Sequence, residues 1–162
     1  MIIYGTNWPA TTDIASKAVV IQKYKVFGDP DFFQHLRGEF SLVICDQRHD
    51  QTRIIAARDR YGINPLFWAI TNQGGAHILL IAAEIRAFLE LGWKARWDVQ
   101  SIADSDWMTD DRTLFQGVRK LIPGCWIEVL PDGHINHHQY WDAEYNDKVS
   151  PMLQPNPEEI GN

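Results

Sequence analysis

The sequence predicts one α+β domain in which antiparallel sheets pack against helices. Apolar, β-branched runs of strand length follow one another across short polar turns, and such hairpins require antiparallel pairing. Apolar residues recur at helical spacing before the first hairpin, and two short helical segments separate the second hairpin from the third. At 162 residues, the chain is long enough to bury one sizeable core between such layers.

The region before the first hairpin predicts a short strand and two helices. The opening residues favour a strand that ends in a turn at residues 7–9. Asp13 is a suitable N-cap for the first helix, and Gly28 ends that helix. Pro30 begins a second, shorter helix. The apolar stripe of the first helix consists of Ile14, Ala18, Ile21 and Tyr24.

Three hairpins and two helices account for the rest of the domain. The second hairpin is expected to turn at residues 71–75 and the third at a Pro-Asp-Gly turn. Gly92 ends the helix after the second hairpin, and Asp98 caps the next helix. The paired strand segments are EFSLVICD with TRIIAAR, PLFWAI with AHILLIAA, and CWIEVL with INHHQYW. The aromatic side chains expected in the core are Phe67, Trp68, Phe88, Trp93, Trp97 and Trp126.

Charge and composition argue against several classes of partner. The net charge is −6 and no long basic run occurs, so we expect no nucleic-acid partner. The longest apolar run, residues 78–83, is too short to span a bilayer, and the first ten residues carry no signal-peptide pattern. We therefore expect a cytoplasmic protein without membrane contact. Its two cysteines, Cys45 and Cys125, are expected to be buried, reduced thiols.

No cofactor or metal site is expected from the motifs. The Gly74-Gly75 pair falls in a hairpin turn, and neither a P-loop nor a dinucleotide fingerprint is present. In a strand, His134 and His138 point to one face and His137 to the other. Two histidines on one face make only half of a metal site, so a solvated hairpin is the preferred interpretation.

The stretch ARDRYGINPLFWA places a charged elbow between two apolar strands. Arg58 and Asp59 follow a buried strand, where a buried charge needs charge-assisted hydrogen bonds. Gly62 admits backbone conformations closed to other residues, and Pro65 fixes the entry into the next strand. We interpret these four residues as a rigid strand-to-strand connection rather than as catalytic groups.

Five segments, in order, resemble the glutaminase domain of asparagine synthetase and related class II glutamine amidotransferases. The first resembles that family's Leu-x-Gly-x-Phe strand, and the second its Arg-Asp-x-x-Gly-x-x-Pro elbow. Each motif is weak by itself, but five in the correct order make a specific pattern. The segments are LRGEFSLVICD, ARDRYGINPLFW, AAEIRAF, TLFQGVRKLIPG and YWD.

The resemblance implies an N-terminal-nucleophile hydrolase fold, an αββα sandwich of antiparallel sheets that here lacks its first strands. It implies a partial type 2 amidotransferase domain over residues 1–145, and a linker over 146–162 toward an absent synthetase domain. The family hydrolyses glutamine and passes ammonia to a synthetase domain or subunit, which activates a carboxylate with ATP. Glutamine is therefore the implied substrate, and asparagine synthesis is the implied pathway.

The family's catalytic groups are not matched, so no catalytic residue is assigned. The family nucleophile is an N-terminal cysteine whose own α-amine serves as the base, whereas Ile2 stands here. Cys45 lies in mid-strand and has no such amine. Processing that exposes a hydroxyl nucleophile is not marked by the sequence. The hydroxyl residues considered for that role are Thr6, Thr11, Thr12 and Ser16.

The residues that hold glutamine in the family are also unmatched. In an alignment without gaps, Ser16 stands at the family's aspartate position and Ala18 at its glutamate position. Asp13 is the substitute substrate-binding residue if the helix start shifts by three residues; otherwise it caps the helix.

Three interpretations stay open from the sequence. The chain is a glutaminase-type domain that is inactive alone, a non-catalytic interaction or regulatory module, or a fragment of a protein that begins upstream. Because missing strands leave an unpaired edge, self-association through that edge is expected.

Overall fold

The computed structural model describes residues 2–6, 14–28, 31–48, 52–104 and 110–143, with side chains from residue 19 onward. Asp13, Thr11, Thr12 and the predicted linker over residues 146–162 lie outside the described residues. The helices are α1 (Ile14–Phe27), α2 (Asp31–Gln34), α3 (Ala87–Glu90) and α4 (Val99–Ala103). The strands are β1 (Ile2–Thr6), β2 (Ser41–Asp46), β3 (Arg53–Arg58), β4 (Phe67–Gln73), β5 (Ala76–Ala82), β6 (Val118–Lys120), β7 (Cys125–Val129) and β8 (Ile135–Gln139).

These strands form two antiparallel sheets. The larger sheet has five strands in the order β1-β2-β3-β7-β8, and the smaller has three in the order β5-β4-β6. The predicted hairpins are β2–β3, β4–β5 and β7–β8, and all three are antiparallel. The predicted α+β class is therefore confirmed.

Three apolar clusters show that the molecule is layered as helix, sheet, sheet and helix. One cluster joins the two sheets, with Ala56 and Ile127 of the larger sheet facing Trp68 and Leu79 of the smaller. The outer face of the larger sheet packs on α1 and α2, and that of the smaller sheet packs on Phe88 of α3. This layering is compatible with the αββα sandwich that the family resemblance implies.

The aromatic and aliphatic positions of α1 and α2 explain how the helices cover the larger sheet. Val20 and Tyr24 are buried in α1, and Phe32 and Phe33 are buried in α2. Val20 and Tyr24 are four residues apart and therefore share one face of α1, and Phe32 and Phe33 join them in the same buried cluster against the sheet. Ile21, which the sequence places in the stripe, is only half-buried, because the buried face of α1 is centred on Val20 instead.

Other sequence-based predictions need correction. Strand β4 continues through residues 71–73, which the sequence predicts as a turn, and the turn itself contains only Gly74 and Gly75. Strand β6 was not predicted, because it has three residues and forms by pairing with β4. Trp97, predicted in the core, is 60% exposed and stacks on Phe115 at 4.8 Å between ring centroids.

Strand β1 lies at one edge of the larger sheet, next to β2. Its register places Tyr4 opposite Val43, and among the described residues no strand pairs with its other side. Within the described residues, no helix combines the length and the apolar composition needed to cross a bilayer.

Candidate functional site

The elbow carries the chain from one sheet to the other. Strand β3 ends at Arg58 in the larger sheet, and β4 begins at Phe67 in the smaller sheet. The connection between them is a short loop against residues 121–124. Its four predicted residues, Arg58, Asp59, Gly62 and Pro65, therefore lie where the two sheets are joined.

The Arg58 guanidinium group bonds to three backbone carbonyl groups. Its Nε donates to the oxygen of Asn64 at 2.9 Å, and Nη1 donates to that of Leu121 at 2.9 Å. Its Nη2 donates to the Gly62 oxygen at 2.5 Å. Burial lowers the pKa of the guanidinium group, and the negative charge of Asp59 opposes that shift. Arg58 therefore fixes the loop to the segment before β7.

The Asp59 carboxylate is 1% exposed and accepts hydrogen bonds from backbone N–H groups. Its Oδ1 accepts from Tyr61 at 3.1 Å and from Ile63 at 3.0 Å. Its Oδ2 accepts from Asn64 at 3.0 Å and from Phe40 at 3.3 Å. These four hydrogen bonds satisfy the buried carboxylate and determine the shape of the loop.

Gly62 is required by space as well as by backbone conformation. It has a φ of +65°, and a Cβ atom there would lie 2.6 Å from Pro123 Cγ and 2.9 Å from Arg58 Cζ. Pro65 is exposed and directly precedes Leu66, whose carbonyl accepts from Leu121 N at 2.7 Å. Both residues therefore stand where the loop contacts the segment before β7.

The side chains of Arg58 and Asp59 form their hydrogen bonds with backbone groups. Arg58 and Asp59 bond to main-chain groups, and among the described residues their side chains do not form an ion pair with each other. The Tyr140 hydroxyl also donates to the Arg58 carbonyl at 2.7 Å. A group whose hydrogen bonds are all engaged by the fold positions the backbone, and this geometry favours the structural interpretation of the elbow.

The two thiols are poorly placed for nucleophilic catalysis. Cys45 lies within β2 and Cys125 begins β7, and both are half-buried and free, although the sequence predicted full burial. Burial raises the pKa of the Cys125 thiol, and the charge of Asp142 raises it further. Because the thiolate is the reactive form, Cys125 is held in its unreactive protonated state.

The predicted substrate-binding residue, Asp13, lies outside the described residues. Ser16 and Ala18 fall within α1, and the structure describes only their backbone. Asp13 as a glutamine contact therefore stays a prediction.

A buried acidic cluster was missed by the sequence analysis. Asp46, 1% exposed at the end of β2, accepts from Tyr24 Oη at 2.8 Å and from Arg48 Nε and Nη2 at 2.9 and 2.7 Å. Arg53 donates to Tyr24 Oη at 2.8 Å and to Glu128 Oε1 at 2.9 Å. The Arg48 hydrogen bonds hold the pKa of Asp46 well below its usual range. This cluster ties α1 to the larger sheet, at the opposite end of β3 from the elbow.

The described residues contain no group of three histidine, cysteine or acidic side chains that could hold a metal ion. His137 faces Trp68 of the other sheet, whereas His138 stacks on Trp126 at 4.1 Å between ring centroids. The two rings therefore lie on opposite faces of β8, as the strand period predicts. Cys125 and His137 also line a cavity of about 220 Å³.

Comparisons with known proteins point to one family. Residues 4–141 match a protein family described as a glutamine amidotransferase domain. The chain is 41% identical over 140 residues to the amidase chry2 of Gibberella zeae, covering 86% of this chain and 20% of that protein. It is 41% identical over 132 residues to the amidase chyE of Penicillium rubens, covering 82% of this chain and 19% of that protein.

A bacterial relative is more distant. The glutamine-hydrolysing asparagine synthetase 3 of Bacillus subtilis is 30% identical over 119 residues, covering 70% of this chain and 18% of that protein. The chain thus spans about a fifth of the length of these curated relatives.

Proposed function

We propose that this chain, which belongs to the glutamine amidotransferase domain family, contributes the nitrogen-supplying domain of a longer amidotransferase. We also propose that the 162 residues produced alone do not hydrolyse glutamine. The carrying observation is the location of the thiols. Cys45 and Cys125 lie within strands and are half-buried, so neither has the α-amine base that the family's N-terminal cysteine uses.

The family membership supports glutamine as the nitrogen donor of the complete protein. The match covers residues 4–141, which include both sheets and the elbow. The chain contains the residues that shape the family's scaffold, but a scaffold by itself does not establish activity. The nitrogen donor is therefore proposed for the complete protein and not for these residues alone.

The second part of the proposal concerns the molecule that accepts the amide nitrogen. A relative named as a glutamine-hydrolysing asparagine synthetase supports aspartate as the carboxylate that receives the amide nitrogen. The synthetase domain or subunit that activates this carboxylate is the proposed partner. The higher identity to two proteins named amidases favours assaying other carboxylic acids beside aspartate.

A non-catalytic interaction module is the second candidate function. It is favoured by Ser16 and Ala18, which stand at the family's aspartate and glutamate positions in an alignment without gaps. In this case the domain docks on a synthetase without releasing ammonia.

The test compares nitrogen donors in the complete protein that contains this chain. ATP-dependent amide formation from aspartate is followed with glutamine and, separately, with ammonium chloride. Amide formation with both donors supports an amidotransferase, whereas formation with ammonium chloride but not with glutamine supports the non-catalytic module. No amide formation from aspartate or other carboxylic acids with either donor contradicts both.

A further inference from the structure

We propose that Arg37 and Arg60 form a docking site for an acidic protein segment, at the end of the domain where the family match stops. Arg37 follows α2, and Arg60 lies in the elbow. Arg37 Nη1 donates to the Gln34 carbonyl oxygen at 3.0 Å, and Arg60 Nη2 donates to the same oxygen at 3.1 Å. One acceptor therefore holds two guanidinium groups next to one another.

Within the described part of the chain, this pair of positive charges has no carboxylate partner. Among the described residues, neither Arg37 nor Arg60 forms an ion pair, and Arg60 Nε is buried without an acceptor. Like charges held side by side repel each other, and an unpaired buried donor is destabilising. A carboxylate between the two groups would remove the repulsion and form charge-assisted hydrogen bonds.

Capping of α2 does not by itself explain the arrangement. Cations near a helix C-terminus interact favourably with its last carbonyl groups, and one arginine fulfils that role at Gln34. Capping does not require a second arginine at the same carbonyl oxygen, and Arg60 also lies over the Trp141 ring, with its Cζ atom 5.9 Å from the ring centroid. Both arginines also occupy positions that the family motifs Leu-x-Gly-x-Phe and Arg-Asp-x-x-Gly leave open, so the scaffold does not require them.

The two arginines open into a concave surface. The cavity has a volume of about 520 Å³, and Asp142 is the single acidic side chain among the described residues that line it. The Oδ1 atom of Asp142 accepts from Ala143 N at 2.8 Å. The site is therefore net positive on a chain whose net charge is −6, which favours an acidic occupant. Its lining residues are Gln34, Arg37, Arg60, Tyr140, Trp141 and Asp142.

The rim of the cavity favours a protein segment over a free anion. Tyr61 is 75% exposed and contacts the lining residue Trp141 at 5.0 Å between ring centroids. An apolar side chain beside a carboxylate would cover this rim, which a small anion leaves in water. Trp141 is also the last residue of the family match, so the cavity lies where the matched domain ends.

The experiment measures peptide binding to the full 162-residue chain. The probe is a fluorescein-labelled Glu-Leu-Glu-Leu-Glu peptide, and the control probe replaces each glutamate by glutamine. The test variant is Arg37→Gln with Arg60→Gln. The control variant is Arg86→Gln with Arg96→Gln, which removes the same charge from exposed positions outside the cavity.

We expect the acidic peptide to bind the test variant about tenfold more weakly than the wild type, with the control variant within about twofold. The glutamine peptide should not bind. Arg37→Gln alone changes a fully exposed side chain and should weaken binding about threefold, which keeps the test valid if the double variant unfolds.

Three results would overturn the proposal. The first is that the acidic peptide does not bind the wild type, and the second is that both double variants lose equal affinity for it. The third is that inorganic phosphate displaces the peptide at a concentration equal to the peptide's dissociation constant. The last result would assign the cavity to a free anion. None of these results depends on glutamine hydrolysis, so the proposed function is tested separately.

Discussion

At the residue scale, the elbow depends on a single glycine. Gly62→Ala forces a side chain into a positive φ and places its Cβ against Pro123 and Arg58. We expect a loss of about 3 kcal/mol in the free energy of unfolding, measured by urea denaturation, because backbone strain and steric overlap add.

The matched control for this substitution is Gly74→Ala. Gly74 has a φ of +61° but no atom within 4 Å of the added Cβ, so only the backbone strain remains. We expect a loss of about 1 kcal/mol there. Equal losses at Gly62 and Gly74 would show that the fit of the elbow against Pro123 does not matter.

The buried carboxylate of Asp46 predicts a pH dependence of stability. Its hydrogen bonds from Arg48 hold its pKa below the usual range, so its stabilisation is complete above the unfolded pKa of about 4 and is lost as the pH falls further. We expect Asp46→Asn to lower the free energy of unfolding by about 2 kcal/mol at pH 7, since Arg48 is partly exposed.

The same variant tests the sign of this effect. The difference between wild type and Asp46→Asn should shrink as the pH falls below about 4, because Asp46 of the unfolded wild-type chain then takes up a proton while folded Asp46 stays ionised. Glu39→Gln, at an exposed position, controls for the loss of one negative charge. A difference that stays constant from pH 7 to pH 3 would contradict the assignment.

The structural roles of some residues can be predicted from the sequence, whereas those of others cannot. Gly62 and Pro65 mark the elbow because their backbone preferences are local, so the sequence places the turn correctly. Asp46 and Tyr24 are 22 residues apart and meet only after α1 packs on the sheet. The pairing of Arg37 with Arg60 likewise depends on the tertiary fold, and no local pattern indicates it.

At the element scale, β1 predicts self-association. It is an edge strand with β2 on one side, and an unpaired edge is a template for another chain. We expect the chain to form dimers or larger assemblies in sedimentation velocity. A wild-type chain that sediments only as a monomer over the accessible concentration range would contradict this prediction.

Two proline variants separate edge pairing from folding. Successive N–H groups of a strand point to opposite sides, and proline has no N–H group. Of the two variants Ile3→Pro and Tyr4→Pro, one therefore loses a donor on the unpaired side of β1, and the other loses a donor on the side that faces β2. We expect one variant to be a folded monomer and the other to have a lower melting temperature. If both variants associate like the wild type, association does not use β1.

The strands show what local pattern predicts. Strands β2 and β3 were predicted because their apolar, β-branched runs are typical of buried strands. The end of β4 was missed because Thr71–Gln73 are polar and alternate between half-buried and exposed, which looks like a turn. Strand β6 was missed because three residues carry no period, and its pairing with β4 decides its structure.

At the scale of the whole molecule, the elbow connects two sheets that the sequence shows only as a succession of hairpins. Local periodicity does not tell which hairpin joins which sheet. The layering follows from the apolar faces that meet between the sheets, such as Ile127 and Trp68. The fold class was therefore predictable from residues, whereas the αββα arrangement was reached through family resemblance.

The central claim is that this family domain keeps its scaffold while these 162 residues alone lack glutaminase activity. The most direct measurement is glutamate release from glutamine by the purified, folded chain, with a Cys45→Ala, Cys125→Ala double variant as the control. We predict that both proteins release glutamate at the uncatalysed rate. Release by the wild type above that of the double variant would show a working cysteine nucleophile and contradict the account.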